Sequence, residues 1–280
     1  MSRMALSSNL TTRLISSVMI LPVVTLILYA GGLALTACLV VIACAMAWEW
    51  TKMLDRSAKS TQFSLLAGGF VGLMTAAILR ADLDQDMASL AVAMCASLGI
   101  FAWFLRHQKA ERPVLLLFGL PLIILGCVAV GLLRADSPAG LLLVLWGVGA
   151  VIAMDTGGYI FGRLIGGARL APRISPGKTW AGLIGGAALA AIFGGILAFA
   201  LHQEMPFHLA IWSALIAVIA QCGDLAESAV KRHVGVKDSG ALIPGHGGLL
   251  DRFDGHLTAL PVVLAVSVLT GHSPIEWSGF

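Results

Sequence analysis

The chain has 280 residues, a length that ordinarily forms one or two soluble domains, but its composition excludes a soluble fold. Only 12% of its residues are charged and 58% are hydrophobic, whereas about 25% of the residues in an average soluble domain are charged. Long apolar runs separated by short charged clusters therefore predict an all-α, polytopic integral membrane protein. The net charge of +3 is too small to indicate a nucleic acid as a partner.

Nine apolar runs are long enough to cross a bilayer, which takes about 20 helical residues. They lie at about 14–30, 32–50, 63–80, 88–105, 114–133, 140–162, 180–201, 208–226 and 256–270. We expect the first run to be a retained helix, because no convincing cleavage site for a signal peptidase precedes the second run.

The basic residues are sorted by membrane side in this nine-helix topology. Sixteen of the 18 Lys and Arg residues fall on one side, and only Arg80 and Arg134 fall on the other. Because basic residues accumulate in cytoplasmic loops, the pattern predicts a cytoplasmic N-terminus and an external C-terminus. We expect the protein to lie in the cell inner (cytoplasmic) membrane.

The chain changes character at about residue 140. Residues 1–140 read as about five plain transmembrane helices, whereas residues 141–280 contain glycines and ionisable groups at membrane depth. The sequence contains no convincing internal repeat, so an inverted-repeat transporter gains no support. We therefore expect a catalytic transmembrane region at 141–280, with its active site at the cytoplasmic face.

An aspartate lies inside the sixth apolar run, where Asp155 is followed by Thr156, Gly157, Gly158 and Tyr159. An aspartate within a span costs about 2.5–3.5 kcal/mol on the insertion scale, so it normally faces a polar cavity or a partner. The neighbouring glycines favour close approach of the backbone to another helix or to a ligand. Asp155 is thus either a substrate-binding group or a structural contact between helices.

A basic loop leads directly into the seventh apolar run and ends with Ser175, Gly177, Lys178 and Thr179. Helix N-termini carry unpaired N–H groups that suit phosphate oxygens, and a lysine adds a mobile positive charge. The glycine spacing is not that of a Walker A motif. The loop is either a phosphate-binding segment or an ordinary helix cap with a lysine on the cytoplasmic side.

The densest group of ionisable residues runs from Gln221 to Asp254. Four of its side chains fall at i, i+3, i+4 and i+7 and would share one helix face, namely Asp224, Glu227, Ser228 and Lys231. Further candidates follow along the chain: Arg232, Lys237, Asp238, His246, Gly247, Gly248, Asp251, Arg252 and Asp254.

Crowded carboxylates repel one another unless cations neutralise them. Oxygen ligands without cysteine indicate Mg²⁺, which typically binds one or two carboxylates together with substrate phosphates. The nearby lysines and arginines would neutralise a polyphosphate. The residues alone therefore indicate phosphoryl or nucleotidyl transfer at the inner face of a membrane, with a salt-bridged cytoplasmic loop as the alternative.

The stretch from Ser228 to Asp254 closely resembles the signature of the CDP-diacylglycerol synthases, or phosphatidate cytidylyltransferases. It reads S-x-x-K-R-x4-K-D-x-G-x3-P-x-H-G-G-x2-D-R-x-D without gaps. The segments Asp155–Tyr159 and Ser175–Thr179 also look like segments of that family. The resemblance covers about residues 150–260.

The resemblance implies that CTP and phosphatidate give CDP-diacylglycerol and pyrophosphate, with Mg²⁺ as cofactor. It implies that Asp224 and Asp251 are the chief metal ligands and that Asp254 completes the ligand set. Lys231, Arg232 and Arg252 would hold the lipid phosphate or the departing pyrophosphate. The expected substrate-binding residues are Asp155, Ser175, Lys178, Thr179, Ser228, Lys237, Asp238, His246, Gly247 and Gly248.

Three positions depart from the family pattern, and two alternative functions remain open. Gly255 stands where the family often has serine, Gly158 where it tends to have a larger residue, and Gly177 where it tends to have a basic one. The alternatives are a CTP-dependent lipid kinase of the polyprenol or phytol type, and an anion transporter that uses Asp155 and the basic loop. A homodimer is a further expectation for a small polytopic enzyme.

Overall fold

The computed structural model describes residues 23–54, 67–72, 74–76, 113–136, 139–203, 206–242 and 247–275. Six helices in this part of the chain are long and apolar enough to cross a membrane. They are α1 (Gly32–Leu54), α2 (Pro113–Asp136), α3 (Gly140–Leu164), α4 (Trp180–Ala200), α5 (Pro206–His233) and α6 (Leu250–Thr270). Residues 23–30, 67–72 and 74–76 are helical as well.

These helices confirm an all-α polytopic membrane protein and six of the predicted spans. The predicted span at 88–105 lies outside the described residues, and those at 14–30 and 63–80 lie only partly within them, so the count of nine stays a prediction. Two predicted boundaries differ: α5 continues to His233, and α6 begins at Leu250. A hydropathy pattern predicts that a span ends at its first charged residues, whereas the helix continues through such residues when they pair at i, i+4.

The loop before α4 contains a two-stranded antiparallel hairpin that the sequence did not predict, with β1 at Arg169–Ala171 and β2 at Ser175–Thr179. Its turn is closed by a hydrogen bond from the Ile174 N–H to the Ala171 carbonyl at 3.1 Å. Pro172 lies at the second position of this turn, which its fixed φ favours. The strands are too short to show an alternating pattern.

The chain forms two compact units, with residues 1–131 and 238–252 in the amino-terminal unit and residues 132–237 and 253–280 in the carboxy-terminal unit. In the amino-terminal unit, α1 packs on α2, and the Trp50 indole donates to the Leu115 carbonyl at 3.2 Å. A Cβ at Gly119 would overlap the Trp50 ring, so glycine allows α2 to lie against the indole.

The carboxy-terminal unit is built on α3, α4 and α5. A Cβ at Gly157 of α3 would come within 2.8 Å of the Gly186 Cα in α4, so small residues allow these backbones to approach. Between α3 and α5, the buried Trp146 indole donates to the Ser213 hydroxyl at 2.8 Å. Exposed apolar side chains cover the outer face of α4, including Ile184, Ile192, Ile196 and Phe199. Such a face suits contact with lipid chains.

Candidate active site

One face of α5 carries four polar side chains, as the helical spacing predicts. The Ser228 hydroxyl donates to Asp224 Oδ1 at 3.3 Å, and Lys231 Nζ donates to Glu227 Oε2 at 2.8 Å. Both pairs are four residues apart. Glu227 and Lys231 are buried, so their opposite charges offset the cost of removing each from water. Asp224 and Ser228 stand one turn earlier on the same face.

Lys178 brings the end of the hairpin to this face. Its ammonium forms an ion pair with Asp224 Oδ2, and the two side chains retain 21% and 28% exposure. The residues are 46 positions apart in sequence, so the contact depends on the packing of the hairpin beside α5. Because the pair is only partly buried, a ligand phosphate could compete for the ammonium and a cation could compete for the carboxylate.

Thr179 is the N-cap of α4. Its backbone is extended, and its hydroxyl accepts the Gly182 N–H at 3.0 Å. This satisfies one of the unpaired N–H groups at the start of the helix, as threonine commonly does in this position. Thr179 is buried, while Ser175 is half-buried on the same strand. The helix-cap interpretation of Thr179 is confirmed, and its contact with substrate stays a prediction.

Arg232 joins the end of α5 to the hairpin turn. Its Nε donates to the Ile174 carbonyl at 3.1 Å, and its guanidinium Nη1 donates to the Val236 carbonyl at 3.2 Å. The side chain is exposed, as expected for a residue turned away from the Asp224 face. An arginine has five N–H donors, so these two bonds leave donors for a phosphate.

Asp254, in the second turn of α6, adds a carboxyl group to the α5 face. Its side chain lies within electrostatic range of Asp224 and Glu227. Its Oδ1 also accepts the Gly255 N–H at 2.6 Å. Three carboxyl groups thus accompany two ammonium groups, those of Lys178 and Lys231. A proton or an additional cation is needed to balance the third carboxyl group.

Asp251 has a different environment, in the amino-terminal unit. Its two carboxylate oxygens accept the Ser239 N–H at 3.1 and 3.0 Å, and Oδ2 also accepts the Gly248 N–H at 3.0 Å. The carboxylate therefore organises the loop that precedes α6.

Glu49 of α1 lies at the start of α6, and the sequence analysis missed it. Only 1% of its surface is exposed, and its Oε2 accepts the Leu250 N–H at 2.9 Å. The signal that could have found it is the one that singled out Asp155: an acidic residue inside an apolar run. Glu49 lies in the half of the chain that the sequence predicts to contain plain transmembrane helices.

The other predicted residues differ in their exposure. Asp155 is exposed on α3, and Lys237, Asp238 and Arg252 are exposed as well. Gly247 is half-buried with a φ of +85°, and Gly248 is buried. His246 lies outside the described residues.

The three positions that depart from the family pattern differ in the space around them. A Cβ at Gly177 would meet nothing within 4 Å, and one at Gly158 would be 3.7 Å from the Gly182 carbonyl oxygen. A Cβ at Gly255 would lie 3.3 Å from both Ala220 and Val151. A larger residue therefore fits at the first two positions, whereas a serine at the third would need a small shift of its neighbours.

The donor set is compatible with Mg²⁺. No group of three or more His, Cys, Asp or Glu side chains among the described residues is arranged to hold a metal ion by itself. Mg²⁺, however, typically takes one or two carboxylates and completes its shell with waters and substrate phosphates. Asp224 and Asp254 supply two carboxyl groups of this kind, in a cluster with one more carboxyl group than ammonium groups.

Comparison with known proteins identifies the family. The model of the cytidylyltransferase family matches residues 11–270. The chain belongs to the cytidylyltransferase family. The resemblance noted in residues 150–260 is thereby confirmed and extends over nearly the whole chain. Membership in this family makes the protein a nucleotidyltransferase.

Three relatives of the chain carry a more specific name. The phosphatidate cytidylyltransferase of Brucella suis biovar 1 is 38% identical over 256 residues, which cover 90% of this chain and 91% of that protein. The phosphatidate cytidylyltransferase of Brucella abortus biovar 1 matches to the same extent. The one from Staphylococcus haemolyticus is 44% identical over 134 residues, or 46% of this chain and 50% of that protein.

Proposed function

We propose that this protein is a phosphatidate cytidylyltransferase, which joins CTP to phosphatidate and forms CDP-diacylglycerol and pyrophosphate. The observation that carries the proposal is the pairing of Lys178 with Asp224, in a chain that aligns over 90% of its length with relatives of that name. This pair offers one group for a phosphate and one for a cation on a partly exposed face.

The reaction needs no strong general base in the protein. The nucleophile is a phosphate oxygen of the lipid, and the second pKa of a phosphate monoester is about 6, so that oxygen is largely ionised near neutral pH. It attacks the α-phosphorus of CTP and forms a new P–O bond. The bond from the α-phosphorus to the bridging oxygen breaks, and pyrophosphate leaves with the electron pair.

The main obstacle is the repulsion between two polyanions, and the cationic side chains of the chain reduce it. Lys178 is paired with Asp224, and its ammonium could exchange this carboxylate for a phosphate of CTP with little movement. Arg232 holds the hairpin turn while keeping donors for a phosphate. Lys231 and Arg252 remain our candidates for the lipid phosphate and the departing pyrophosphate.

We propose Mg²⁺ as the cofactor, held by Asp224 and Asp254, while the metal-ligand role of Asp251 rests on the signature sequence. When bound, Mg²⁺ would neutralise charge on the triphosphate. The Ser228 hydroxyl orients Asp224, because it donates to one carboxylate oxygen and leaves the other for its cation. Glu227 keeps Lys231 in place on the next turn of the helix.

We propose that the active site faces the cytoplasm, in the inner membrane of a bacterial cell. The proposal is supported by the sorting of 16 of 18 basic residues to one predicted side and by the bacterial origin of the relatives. CTP is a cytosolic substrate, and the hairpin with its basic residues belongs to a loop that the topology predicts to be on that side. The homodimer stays a prediction, to be measured by crosslinking in native membranes.

The proposal is tested with purified protein in detergent, supplied with CTP, Mg²⁺ and a lipid. Pyrophosphate release should require both CTP and phosphatidate, and EDTA should abolish it. A polyprenol or phytol should not replace phosphatidate. Release of CDP with a lipid alcohol would instead identify a kinase, and anion flux across sealed vesicles without CTP consumption would identify a transporter.

A further inference from the structure

Glu49 is a buried carboxylate in α1 that contacts the beginning of a distant helix. Its Oε2 accepts the N–H of Leu250, the first residue of α6, which is 201 positions later in the chain. The contact lies within the amino-terminal unit. Because the first N–H groups of a helix have no partner within the helix, an acidic acceptor at this point both satisfies a donor and favours the helix dipole.

The same carboxylate lies against the loop that leads to α6. A Cβ on Gly240 would overlap Glu49 Oε1, so the loop backbone approaches the carboxylate as closely as a residue without a side chain allows. Glu49 therefore contacts the signature segment at two points, Gly240 and Leu250.

Asp251 joins neighbours of these two contact points by hydrogen bonds. It directly follows Leu250, and its oxygens accept N–H groups of Ser239 and Gly248. Ser239 in turn directly precedes Gly240, so each residue that Glu49 contacts has a neighbour in the Asp251 hydrogen-bond system. A shift of the Glu49 side chain would therefore displace both Ser239 and Asp251.

We propose that Glu49 is a positioning residue for nucleotidyl transfer, because it fixes the loop and the first turn of α6 that present Asp251. The inference rests on the proposed function for its catalytic consequence, whereas the fixing of the loop is independent of it. Glu49 acts through Asp251 and need not touch a substrate. A partner of a catalytic carboxylate typically changes activity by about 10- to 100-fold when it is removed.

The first test compares Glu49→Ala with Glu49→Gln by hydrogen exchange of residues 239–242 and 247–252, without CTP or Mg²⁺. Glutamine keeps one carbonyl oxygen for the Leu250 N–H, so it should retain most of the wild-type protection, whereas alanine should lose it. Thr51→Val is the matched control, since Thr51 is buried in the same helix and its hydroxyl bonds only α1 carbonyls, those of Ala47 and Trp48.

The second test measures kcat and KM on the same variants. Glu49→Ala should lower kcat by about 10- to 100-fold with little change in the KM for phosphatidate, Glu49→Gln should restore most of kcat, and Thr51→Val should resemble the wild type. Equal loss in the alanine and glutamine variants, or wild-type exchange and kcat in Glu49→Ala, would overturn the inference.

A double-mutant cycle of Glu49→Ala with Gly240→Ala tests the contact between these two residues, and Gly240→Ala alone covers the case in which Glu49→Ala yields little folded protein. The added methyl group should lower kcat strongly beside Glu49 and much less beside alanine, because the overlap is then removed. Equal effects of Gly240→Ala in the two backgrounds would contradict the inference. An inactive wild-type protein would contradict the proposed function instead, and the exchange measurement would still decide whether Glu49 fixes the loop.

Discussion

Asp224 and Asp251 are both aspartates of the predicted metal set, yet their surroundings differ in kind. Asp224 is paired with the ammonium of Lys178 and accepts a hydrogen bond from the hydroxyl of Ser228. Asp251 accepts the backbone N–H groups of Ser239 and Gly248, and these hydrogen bonds hold a loop in place. A side-chain partner can be exchanged for a ligand without refolding the chain, whereas a backbone partner cannot. Asp224 is therefore suited to exchange its cation, and Asp251 to define the shape of the loop.

The largest expected effect follows from removing the charge of Asp224. Asp224→Asn should lower kcat by more than about 100-fold, because a group that stabilises developing charge is typically worth 10²–10³ in rate. The folded yield should stay near that of the wild type, since the amide can still accept the Ser228 hydroxyl. Turnover at saturating Mg²⁺ is the measurement, and Asp136→Asn, on the predicted opposite side of the membrane, is the control. Near-normal turnover would remove Asp224 from the metal site.

The next effect concerns the flexible partner of Asp224. Lys178→Ala should lower kcat/KM for CTP by roughly 10- to 100-fold, since a hydrogen bond to a charged group is worth about 1.5–3 kcal/mol. Lys178→Arg should recover part of this loss. Arg169→Ala is the matched control, because Arg169 is an exposed cation in the same hairpin. CTP kinetics that are the same in Lys178→Ala and Arg169→Ala would exclude Lys178 from the site.

Two glycine substitutions compare the loop held by Asp251 with the hairpin that carries Lys178. A Cβ at Gly248 would overlap the Ser239 hydroxyl and lie 2.9 Å from Asp251 Oδ2, whereas one at Gly177 would meet nothing within 4 Å. Gly248→Ala should therefore cost about 1–3 kcal/mol of stability, as overpacking typically does. Gly177→Ala should stay within about 0.5 kcal/mol of the wild type. Melting temperatures in detergent test this, and equal values for the two variants would contradict the loop geometry.

The smallest effect is expected at the helix cap. Thr179→Ala should destabilise the protein by about 1 kcal/mol, because the Gly182 N–H loses its acceptor, and Thr179→Ser should restore most of it. The melting temperature of each variant is the measurement. If alanine and serine behave alike, the hydroxyl contributes nothing as a cap.

The sequence predicts the parts of the fold and site that depend on local periodicity. Six spans and the Asp224 face of α5 follow from apolar length and from i, i+4 spacing. The contacts of Lys178 with Asp224 and of Glu49 with Leu250 join residues 46 and 201 positions apart, so no local pattern contains them. The hairpin was missed because strands of three and five residues have no usable alternation.

The proposed reaction transfers the cytidylyl group of CTP to a lipid phosphate. The most direct measurement uses CTP labelled both in the cytosine and in the γ-phosphate, incubated with phosphatidate and Mg²⁺ and then separated into lipid and aqueous phases. The account predicts that the cytosine label enters the lipid while the γ-label remains in water as pyrophosphate, in equal amounts. Entry of the γ-label into a lipid, or of neither label, would contradict it.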